Sequence, residues 1–325
     1  MTTGPETTTW TGQTRIIARW IRLRINTLQA NTKGILAMLA AMALFIFGDA
    51  IMKLSAATVP TGESIFLRGM IAVSIIWTLV LRSSAIHSLK DAVSKYMLLR
   101  AAGDTGGAVF FQTALSRLPF ADVTAVLQIN PLVATAAAAI FLNEKVGWRR
   151  WSATGLGLCG ALLIIKPGSS AFNPWSLLLI LAVFSATLRD LATRKIDPET
   201  PSLLIIAVSA TIITLSGIAH APFETWIAPS LGMLFKFAVA AMFMLAAQFC
   251  VVTSIRTADI SAVVPFRYSA ILWSLLISYA VWGDVPDRWT LLGIFIIASA
   301  GLYVFFREQT LRRQTIAAAS GTADT

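Results

Sequence analysis

Long apolar runs alternate with short clusters of glycine, proline and charged residues along almost the whole chain. A helix that crosses the hydrocarbon core of a bilayer needs about 20 predominantly apolar residues. Runs of roughly this length lie at residues 34–54, 64–81, 97–115, 123–141, 151–165, 175–191, 202–219, 233–252, 262–281 and 289–306. The pattern predicts an all-α integral membrane protein with about ten transmembrane helices.

The composition excludes an ordinary soluble domain. Charged residues make up 13% of the chain and hydrophobic residues 56%, whereas soluble domains carry about 25% charged residues. In so apolar a chain, the net charge of +10 indicates basic loops facing an anionic leaflet rather than a nucleic-acid surface. Cys159 and Cys250 lie inside apolar runs without paired spacing. The sequence therefore predicts no disulfide, no metal site and no cofactor, and the polar first residues predict no removable signal peptide.

Lysine and arginine are distributed unequally between the two ends of the predicted helices. If the N-terminus is cytoplasmic, the cytoplasmic ends hold the basic residues within 15–33, 82–100, 145–150, 189–195, 256 and 307–313. The opposite ends hold only Lys53, Arg117, Lys166, Lys236 and Arg288. The positive-inside rule then predicts a multi-pass membrane protein with both termini in the cytoplasm. The basic segment 15–28 fits either a short helix lying on the membrane surface or a simple cytoplasmic tail.

One stretch of the chain occurs twice. Residues 121–126 read ADVTAV and residues 258–263 read ADISAV, and each is followed by an apolar run, an acidic residue, a tryptophan and a glycine. We therefore predict a tail with a basic amphipathic segment at 1–33, five-helix repeats at 34–166 and 167–308, and a second tail at 309–325. An odd number of helices makes the second repeat cross the membrane in the opposite sense, which is a recurrent plan of secondary transporters.

The repeated residues resemble the EamA domain of the drug/metabolite transporter superfamily. The first copy carries the resemblance in residues 127–131 and in Leu142, Glu144, Trp151, Gly155 and Gly160. The second copy, with PFRY at 265–268, WGDVPD at 282–287 and GLY at 301–303, is similar to one proteobacterial branch that includes carriers of riboflavin and of S-adenosylmethionine. The resemblance spans residues 34–308 and implies ten helices, two EamA units and solute movement by alternating access.

Both copies carry a proline beside a polar residue inside a predicted helix. The repeat pairs three positions, which are Gln128 with Pro265, Asn130 with Arg267, and Pro131 with Tyr268. Backbone groups that a proline frees are tolerated in lipid only where neighbours or cavity water satisfy them. We therefore expect these positions to face the interior and the polar side chains among them to bind the substrate.

Arg267 is the most informative of these residues, because an ionisable side chain inside a membrane is costly and is a functional candidate by default. We expect it to anchor an anionic or carbonyl-bearing part of the substrate. The structural alternative is an ion pair with a carboxylate on another helix. Gln112 and Gln248 occupy nearly equivalent positions in the two repeats. They are expected to hydrogen-bond a planar heteroaromatic solute or each other.

Two acidic residues are candidates for proton coupling. Asp104 lies in the sequence GDTGG, where the glycines indicate either a broken helix, as in transporter binding sites, or a close packing seam. Asp49 is the second candidate. The alternative for Asp49 is neutralisation by Lys53, which lies four residues later on the same face of the first helix.

Other charged residues are predicted to have structural roles. Arg68 lies inside the second predicted helix, five residues after Glu63, and an ion pair is its expected role. Glu144 and Asp284 follow equivalent apolar runs in the two repeats. We expect these two acidic residues to orient the loops at the helix ends.

The sequence predicts a transporter rather than an enzyme. It contains no H-E-x-x-H, no G-x-S-x-G and no phosphate-binding loop. We expect a secondary carrier that moves a small organic metabolite across the bacterial inner membrane. The branch resemblance implies riboflavin uptake first, with S-adenosylmethionine uptake and amino-acid or drug export as alternatives; a channel and an intramembrane enzyme are more distant. The expected partners are the solute and the bilayer, with no nucleic acid, and the sequence leaves a dimer open.

Overall fold

The computed structural model describes residues 9–83, 85, 93–141, 148–167, 172–197, 199–258 and 263–321. Within these ranges the backbone alone is described for residues 9–30, 135, 150, 252, 255–257, 264, 308–309 and 311–321. All regular structure in the described part of the chain is helical. The α-helices are α1 Thr9–Ser55, α2 Thr61–Leu81, α3 Lys95–Arg117, α4 Phe120–Leu127, α5 Asn130–Phe141, α6 Trp148–Ile165, α7 Ser176–Thr193, α8 Ser202–His220, α9 Leu231–Thr257, α10 Ser269–Ile277 and α11 Arg288–Gly321.

Seven helical segments in the described residues are long and apolar enough to cross a membrane. They are Asn31–Ser55, Thr61–Leu81, Phe120–Phe141, Ser176–Thr193, Ser202–Phe223, Leu231–Val251 and Arg288–Arg307. Trp151–Ile165 is apolar but shorter, and α3 is long but carries Arg100 and Asp104. The prediction of an all-α membrane protein is therefore confirmed, while the count of ten helices in two repeats stays a prediction.

Two of the predicted spans are interrupted near their prolines. In the first, α4 ends at Leu127 and α5 begins at Asn130, with Pro131 as the second residue of α5. In the second, a 3₁₀ turn at Val264–Tyr268, which contains Pro265, precedes α10. A proline lacks the backbone N–H of a continuous helix and is tolerated in a first turn, where that donor has no intrahelical partner. Both interruptions therefore follow from the local sequence.

The basic segment near the N-terminus continues the first membrane helix. Helix α1 runs without a break from Thr9 to Ser55, so residues 15–28 are part of this helix and not a separate one. The physical reason is that residues 9–33 contain no proline, and their one glycine, at position 12, precedes the basic segment. The second tail is also partly helical, since α11 extends to Gly321.

The main helix contacts join the two halves of the chain. Helix α1 packs on α9, α2 on α8, α3 on α7 and α6 on α11. This set of contacts is symmetric between the two halves. If each of the first five predicted spans changes places with the span five positions later, the same pairs of helices are in contact. Glycines let two of the pairs approach closely: a Cβ atom at Gly103 would lie 2.8 Å from the Ser185 carbonyl oxygen of α7, and one at Gly160 would lie 2.9 Å from the Gly293 carbonyl oxygen of α11.

The ends of the helices define two ends of the bundle. We call the end near Asn31 and Arg307 the terminal end, and the end near Ser55 and Trp282 the distal end. Interhelical contacts cluster at both ends, and they differ in character. The distal contacts involve aromatic rings and backbone carbonyls, whereas the terminal half contains a chain of arginine and aspartate side chains.

Candidate functional site

A cavity of about 300 Å³ lies where the interrupted helices meet α11. That volume is at the lower end of the roughly 300–1,000 Å³ typical of sites for small organic ligands. The residues that line it come from the α4–α5 break, the 3₁₀ turn and α11, and they are Leu127, Gln128, Asn130, Pro131, Leu132, Arg267, Tyr268, Gly301, Val304 and Phe305. The structure therefore brings together four of the polar residues predicted from the repeat, namely Gln128, Asn130, Arg267 and Tyr268.

A glycine on α11 makes room for the tyrosine of the cavity. A Cβ atom at Gly301 would overlap the Tyr268 hydroxyl group and the ring carbon that carries it. The tyrosine side chain therefore rests directly on the backbone of α11. The width of the cavity at this point depends on the missing side chain at position 301.

Arg267 lines the cavity and is an exposed residue. No hydrogen bond or ion pair joins its guanidinium group to a residue in the part of the chain that the structure describes. Asp190 is the opposite charge that acts on it most strongly through space, and Arg189 opposes that effect. The ion pair that was the structural alternative for Arg267 is therefore absent from the described residues.

A chain of four charged side chains lies beside the cavity. Arg100 Nη1 lies 2.8 Å from Asp104 Oδ2, Arg189 Nη1 lies 3.4 Å from Asp104 Oδ1, and Arg189 Nη2 lies 2.8 Å from Asp190 Oδ1. The chain reaches the cavity because Asn130 Nδ2 donates to Asp190 Oδ2 at 3.2 Å. With Arg267, the group contains three cations and two anions, so its formal charge is one positive.

The sequence interpretation missed Arg100, Arg189 and Asp190 as members of the site. The positive-inside rule assigned Arg100 and Arg189 to a cytoplasmic helix end, so they were not considered as site residues. Asp190 could have been found, because it falls inside the predicted span 175–191 and an ionisable residue inside a span is a functional candidate. Its hydrogen bond to Asn130, 60 positions earlier, connects helices that no local pattern links.

Asp104 lies in an unbroken helix rather than at a helix break. Helix α3 is continuous from Lys95 to Arg117, and Gly103 and Gly106 pack against Ser185 of α7. Of the two alternatives for this glycine-rich sequence, the close packing seam is the one that forms. The Asp104 carboxylate lies between two guanidinium groups, while its proton-coupling role stays a prediction.

The charged residues of α1 and α2 pair differently from the sequence interpretation. Lys53 does not neutralise Asp49, because its ammonium group donates to the carbonyl oxygens of Leu115, at 3.0 Å, and Leu118, near the end of α3 where intrahelical partners run out. The charged group that interacts electrostatically with Asp49 is Arg68 of α2. The two side chains do not form an ion pair within 4 Å in the part of the chain that the structure describes.

The suggested pairing of Arg68 with Glu63 does not form. Residues five apart on an α-helix point about 140° away from each other, because each residue turns the helix by about 100°. Glu63 is buried and instead accepts the backbone N–H of Ile227 at 3.1 Å. Arg68 therefore keeps Asp49 as the anion that acts on it.

The remaining predicted residues lie outside the cavity lining. Gln112 is 1% exposed, and neither polar atom of its side chain has a hydrogen-bond partner among the described residues, so it does not bond Gln248, which is exposed. Asp284 follows Gly283, which has a φ of 70°, in the loop after α10. Glu144 lies outside the described residues.

Contacts between the two halves of the chain also form at the distal end of the bundle. The Phe120 ring lies 5.4 Å from the Trp282 ring, and the Lys53 ammonium group lies 5.5 Å from the centre of that tryptophan. Lys166 also pairs with Asp287. The hydrogen bond from Lys166 and that from the Thr290 backbone lower the pKa of Asp287 to about 2. These contacts therefore lie at the distal end, opposite to the terminal half that contains the arginine–aspartate chain.

Comparison with known proteins identifies the first half of the chain. Residues 32–166 match the EamA-like transporter family. These residues form an EamA domain. The solved crystal structure of a protein that is 17% identical superposes with a TM-score of 0.57 and covers 85% of this chain and 98% of its own, which shows a shared fold.

Curated proteins that are similar to this chain are transporters. The S-adenosylmethionine uptake transporter of Rickettsia prowazekii is 29% identical over 206 residues, 62% of this chain and 69% of that protein. The riboflavin transporter of Vibrio cholerae is 28% identical over 204 residues, 62% of this chain and 68% of that protein. The pseudopaline exporter CntI of Pseudomonas aeruginosa is 23% identical over 274 residues, 81% and 93% of the two chains. The resemblance to the drug/metabolite transporter superfamily is thereby confirmed.

Proposed function

We propose that this protein is a secondary transporter for a zwitterionic, amino-acid-type metabolite, with S-adenosylmethionine uptake as the first candidate. The observation that carries the proposal is the exposed residue Arg267, which lines the cavity without an ion-pair partner among the described residues. A carboxylate of the solute would supply that partner, and the planar guanidinium group binds carboxylates in a bidentate manner.

The other lining residues match the remaining groups of S-adenosylmethionine. That molecule carries a carboxylate, an ammonium group, a positively charged sulfonium and a neutral adenine. Asp190 adds a negative charge beside the cavity, where it pairs with Arg189 and accepts from the lining residue Asn130. The amide of Gln128 and the ring of Tyr268 suit the edge and the face of a heteroaromatic base.

The proposed architecture is two inverted five-helix repeats that expose the cavity alternately to the two sides of the membrane. The exchange symmetry of the helix contacts supports the duplication. The distal contacts of Trp282 with Phe120 and Lys53 support a conformation closed on that side. We place both termini in the cytoplasm of a bacterial cell, because the excess of lysine and arginine lies at the terminal end. Uptake is the direction named for the Rickettsia relative.

Riboflavin uptake is the second candidate. The Vibrio cholerae relative favours it, as do the two aromatic side chains Tyr268 and Phe305 in the cavity lining. Riboflavin is uncharged at neutral pH, so Arg267 would donate to a carbonyl group of the flavin instead of a carboxylate. The two candidates therefore differ in how strongly they depend on the charge of Arg267.

Proton coupling is proposed to involve Asp49 rather than Asp104. Asp104 lies between the guanidinium groups of Arg100 and Arg189, with ion pairs of 2.8 Å and 3.4 Å. Asp49 has one cation acting on it, Arg68. Asp49 is therefore the carboxylate with fewer charged partners among the described side chains, and an ionisable group inside a membrane helix is a functional candidate.

The test is transport by the purified protein in proteoliposomes. Labelled S-adenosylmethionine and labelled riboflavin are offered separately, with and without a pH gradient, and empty liposomes serve as the blank. We expect saturable uptake of S-adenosylmethionine that excess unlabelled substrate suppresses. Saturable riboflavin flux without S-adenosylmethionine flux would transfer the proposal to the second candidate. Flux that does not saturate with either solute would indicate a channel.

A further inference from the structure

A second cavity lies on the outer surface of the bundle, and the packed residues Leu132, Ala153, Ala300 and Val304 lie between it and the proposed transport site. It is a groove of about 420 Å³ between α6 and α11. Its walls are the large side chains Trp148, Leu156, Phe295 and Tyr303, and its floor includes the small residues Ala153 and Ala300. Trp148 is 71% exposed and Phe295 is 68% exposed, so both walls face the surroundings of the protein.

Helices α6 and α11 approach each other most closely at a pair of glycines. A Cβ atom at Gly160 would lie 2.9 Å from the Gly293 carbonyl oxygen, and one at Gly293 would lie 2.5 Å from the Gly160 carbonyl oxygen. Towards the terminal end, Ser152 and Ser299 occupy the facing positions and leave the space between the helices unfilled. The result is a wedge that is narrow near Gly160 and wide near Trp148.

The length of the groove matches one leaflet of a bilayer. Trp148 and Leu156 are eight positions apart on α6, and Phe295 and Tyr303 are eight apart on α11, which corresponds to about 12 Å along each helix axis. One leaflet contributes about half of the roughly 30 Å hydrocarbon core. The groove therefore accommodates an extended acyl chain of the leaflet at the terminal end.

A positive charge lies at the wide mouth of the groove. Arg149 lines it, and its guanidinium carbon lies 5.3 Å from the centre of the Trp148 ring. The aromatic rings of Trp148 and Tyr303 lie at the same level, as do aromatic residues at the boundary between lipid and water. A guanidinium group there is placed to bind a phosphate, and basic pockets between membrane helices on the cytoplasmic side bind anionic headgroups.

We propose that this groove binds one anionic phospholipid of the cytoplasmic leaflet, with the phosphate at Arg149 and an acyl chain between α6 and α11. The leaflet assignment rests on the orientation proposed above, whereas the binding itself does not depend on the transported solute. Charge complementarity favours this occupant over a zwitterionic lipid, because the mouth offers a cation and the lining includes no carboxylate among the described residues.

The test is native mass spectrometry of the full chain in detergent with added phosphatidylglycerol or phosphatidylcholine. We expect one retained phosphatidylglycerol, with phosphatidylcholine bound more weakly. Arg149→Gln should weaken phosphatidylglycerol binding roughly fivefold, the loss of one attraction between a cation and a headgroup. The matched control is Arg117→Gln, because Arg117 also lies over a tryptophan, 5.2 Å from the Trp175 ring, but at the distal end.

A second variant tests the acyl part of the site. Ser299→Phe fills the groove from an exposed position and should remove the retained lipid while leaving the melting temperature of the lipid-free protein unchanged. Equal losses in Arg149→Gln and Arg117→Gln, or equal binding of the two lipids, would overturn the proposal. A dimer that dissociates on Ser299→Phe would also overturn it, because a second copy would then occupy the groove. Transport activity is not a readout, so failure here and failure of the proposed function are separable.

Discussion

Removal of the Arg267 guanidinium group should abolish the ability of the protein to recognise a substrate carboxylate. The perturbation is Arg267→Ala, compared with a pair of ligands that differ only at that carboxylate. S-adenosylmethionine and its decarboxylated form share the adenosine, the sulfonium and the ammonium group. Any difference in their binding therefore reports the contacts of the carboxylate alone.

The expected magnitude follows from the position of Arg267 in the cavity. Two unit charges about 4 Å apart attract by about 4 kcal/mol at an effective dielectric constant of about 20. Arg267 is exposed to the cavity, so part of this attraction replaces an interaction with water. We expect a net difference of about 2 kcal/mol, which corresponds to about 30-fold in apparent affinity.

The assay is competition for labelled S-adenosylmethionine uptake in proteoliposomes. The wild-type protein should prefer S-adenosylmethionine over the decarboxylated form by about 30-fold, and Arg267→Ala should bring the two within about threefold of each other. Arg267→Lys keeps the charge but loses the bidentate geometry, so it should give an intermediate preference. Arg82→Ala removes an exposed arginine just after the end of α2 and should leave the preference unchanged.

Either of two results would refute the reasoning directly. If Arg267→Ala folds, inserts and still distinguishes the two ligands by the wild-type factor, the carboxylate is bound elsewhere. If the wild-type protein does not distinguish them, the substrate carboxylate is not recognised at all. Loss of folding is detected separately by size-exclusion chromatography and thermal melting, and Arg267→Lys then provides the measurement.

Three further predictions concern other parts of the molecule. Gly301→Ala should displace the Tyr268 side chain that rests on Gly301 and raise the KM by roughly tenfold, because the added methyl group overpacks the cavity. Gly155→Ala is the control, since Gly155 has open space around it, and equal KM values for the two variants would contradict the role of Gly301. The pKa of Asp287 is lowered to about 2 from its ordinary 3.8, so its ion pair with Lys166 weakens only as the pH falls from about 4 towards about 2. Asp287→Asn should therefore leave the shape of the curve of transport rate against pH unaltered between about pH 5 and 8. A changed shape would refute this. Asp49→Asn should abolish accumulation driven by a pH gradient while exchange of labelled for unlabelled solute continues; intact accumulation would exclude Asp49 as the proton carrier.

The class of the protein and the location of its cavity follow from local sequence. Apolar runs of spanning length determine the membrane helices, because no backbone polar group is left unpaired in a helix that lies in lipid. Pro131 and Pro265 interrupt their helices wherever the rest of the chain lies, since the missing N–H is a property of the residue itself. The polar residues beside them, Asn130 and Arg267, were found for the same reason.

The partners of the charged residues were decided only by the tertiary structure. Lys53 is four residues from Asp49, which is the correct spacing for a pair, yet it donates to carbonyl oxygens of α3 more than 60 positions later. Arg68 likewise interacts with Asp49 of another helix instead of Glu63 on its own. Spacing along one helix determines which face a side chain occupies, but it does not determine which helix lies against that face.

The same reason explains the arginine–aspartate chain and the surface groove. Asp104 and Arg189 are 85 positions apart in the chain, and Gly160 and Gly293 come from different halves. Each residue is recognisable alone, as a charge inside a span or as a glycine in an apolar run. Their contacts depend on how α3 packs on α7 and how α6 packs on α11, and the free energy of that packing is shared among side chains distant in sequence. Local pattern therefore determined the helices and the breaks in them, while the packing of the two halves determined the site.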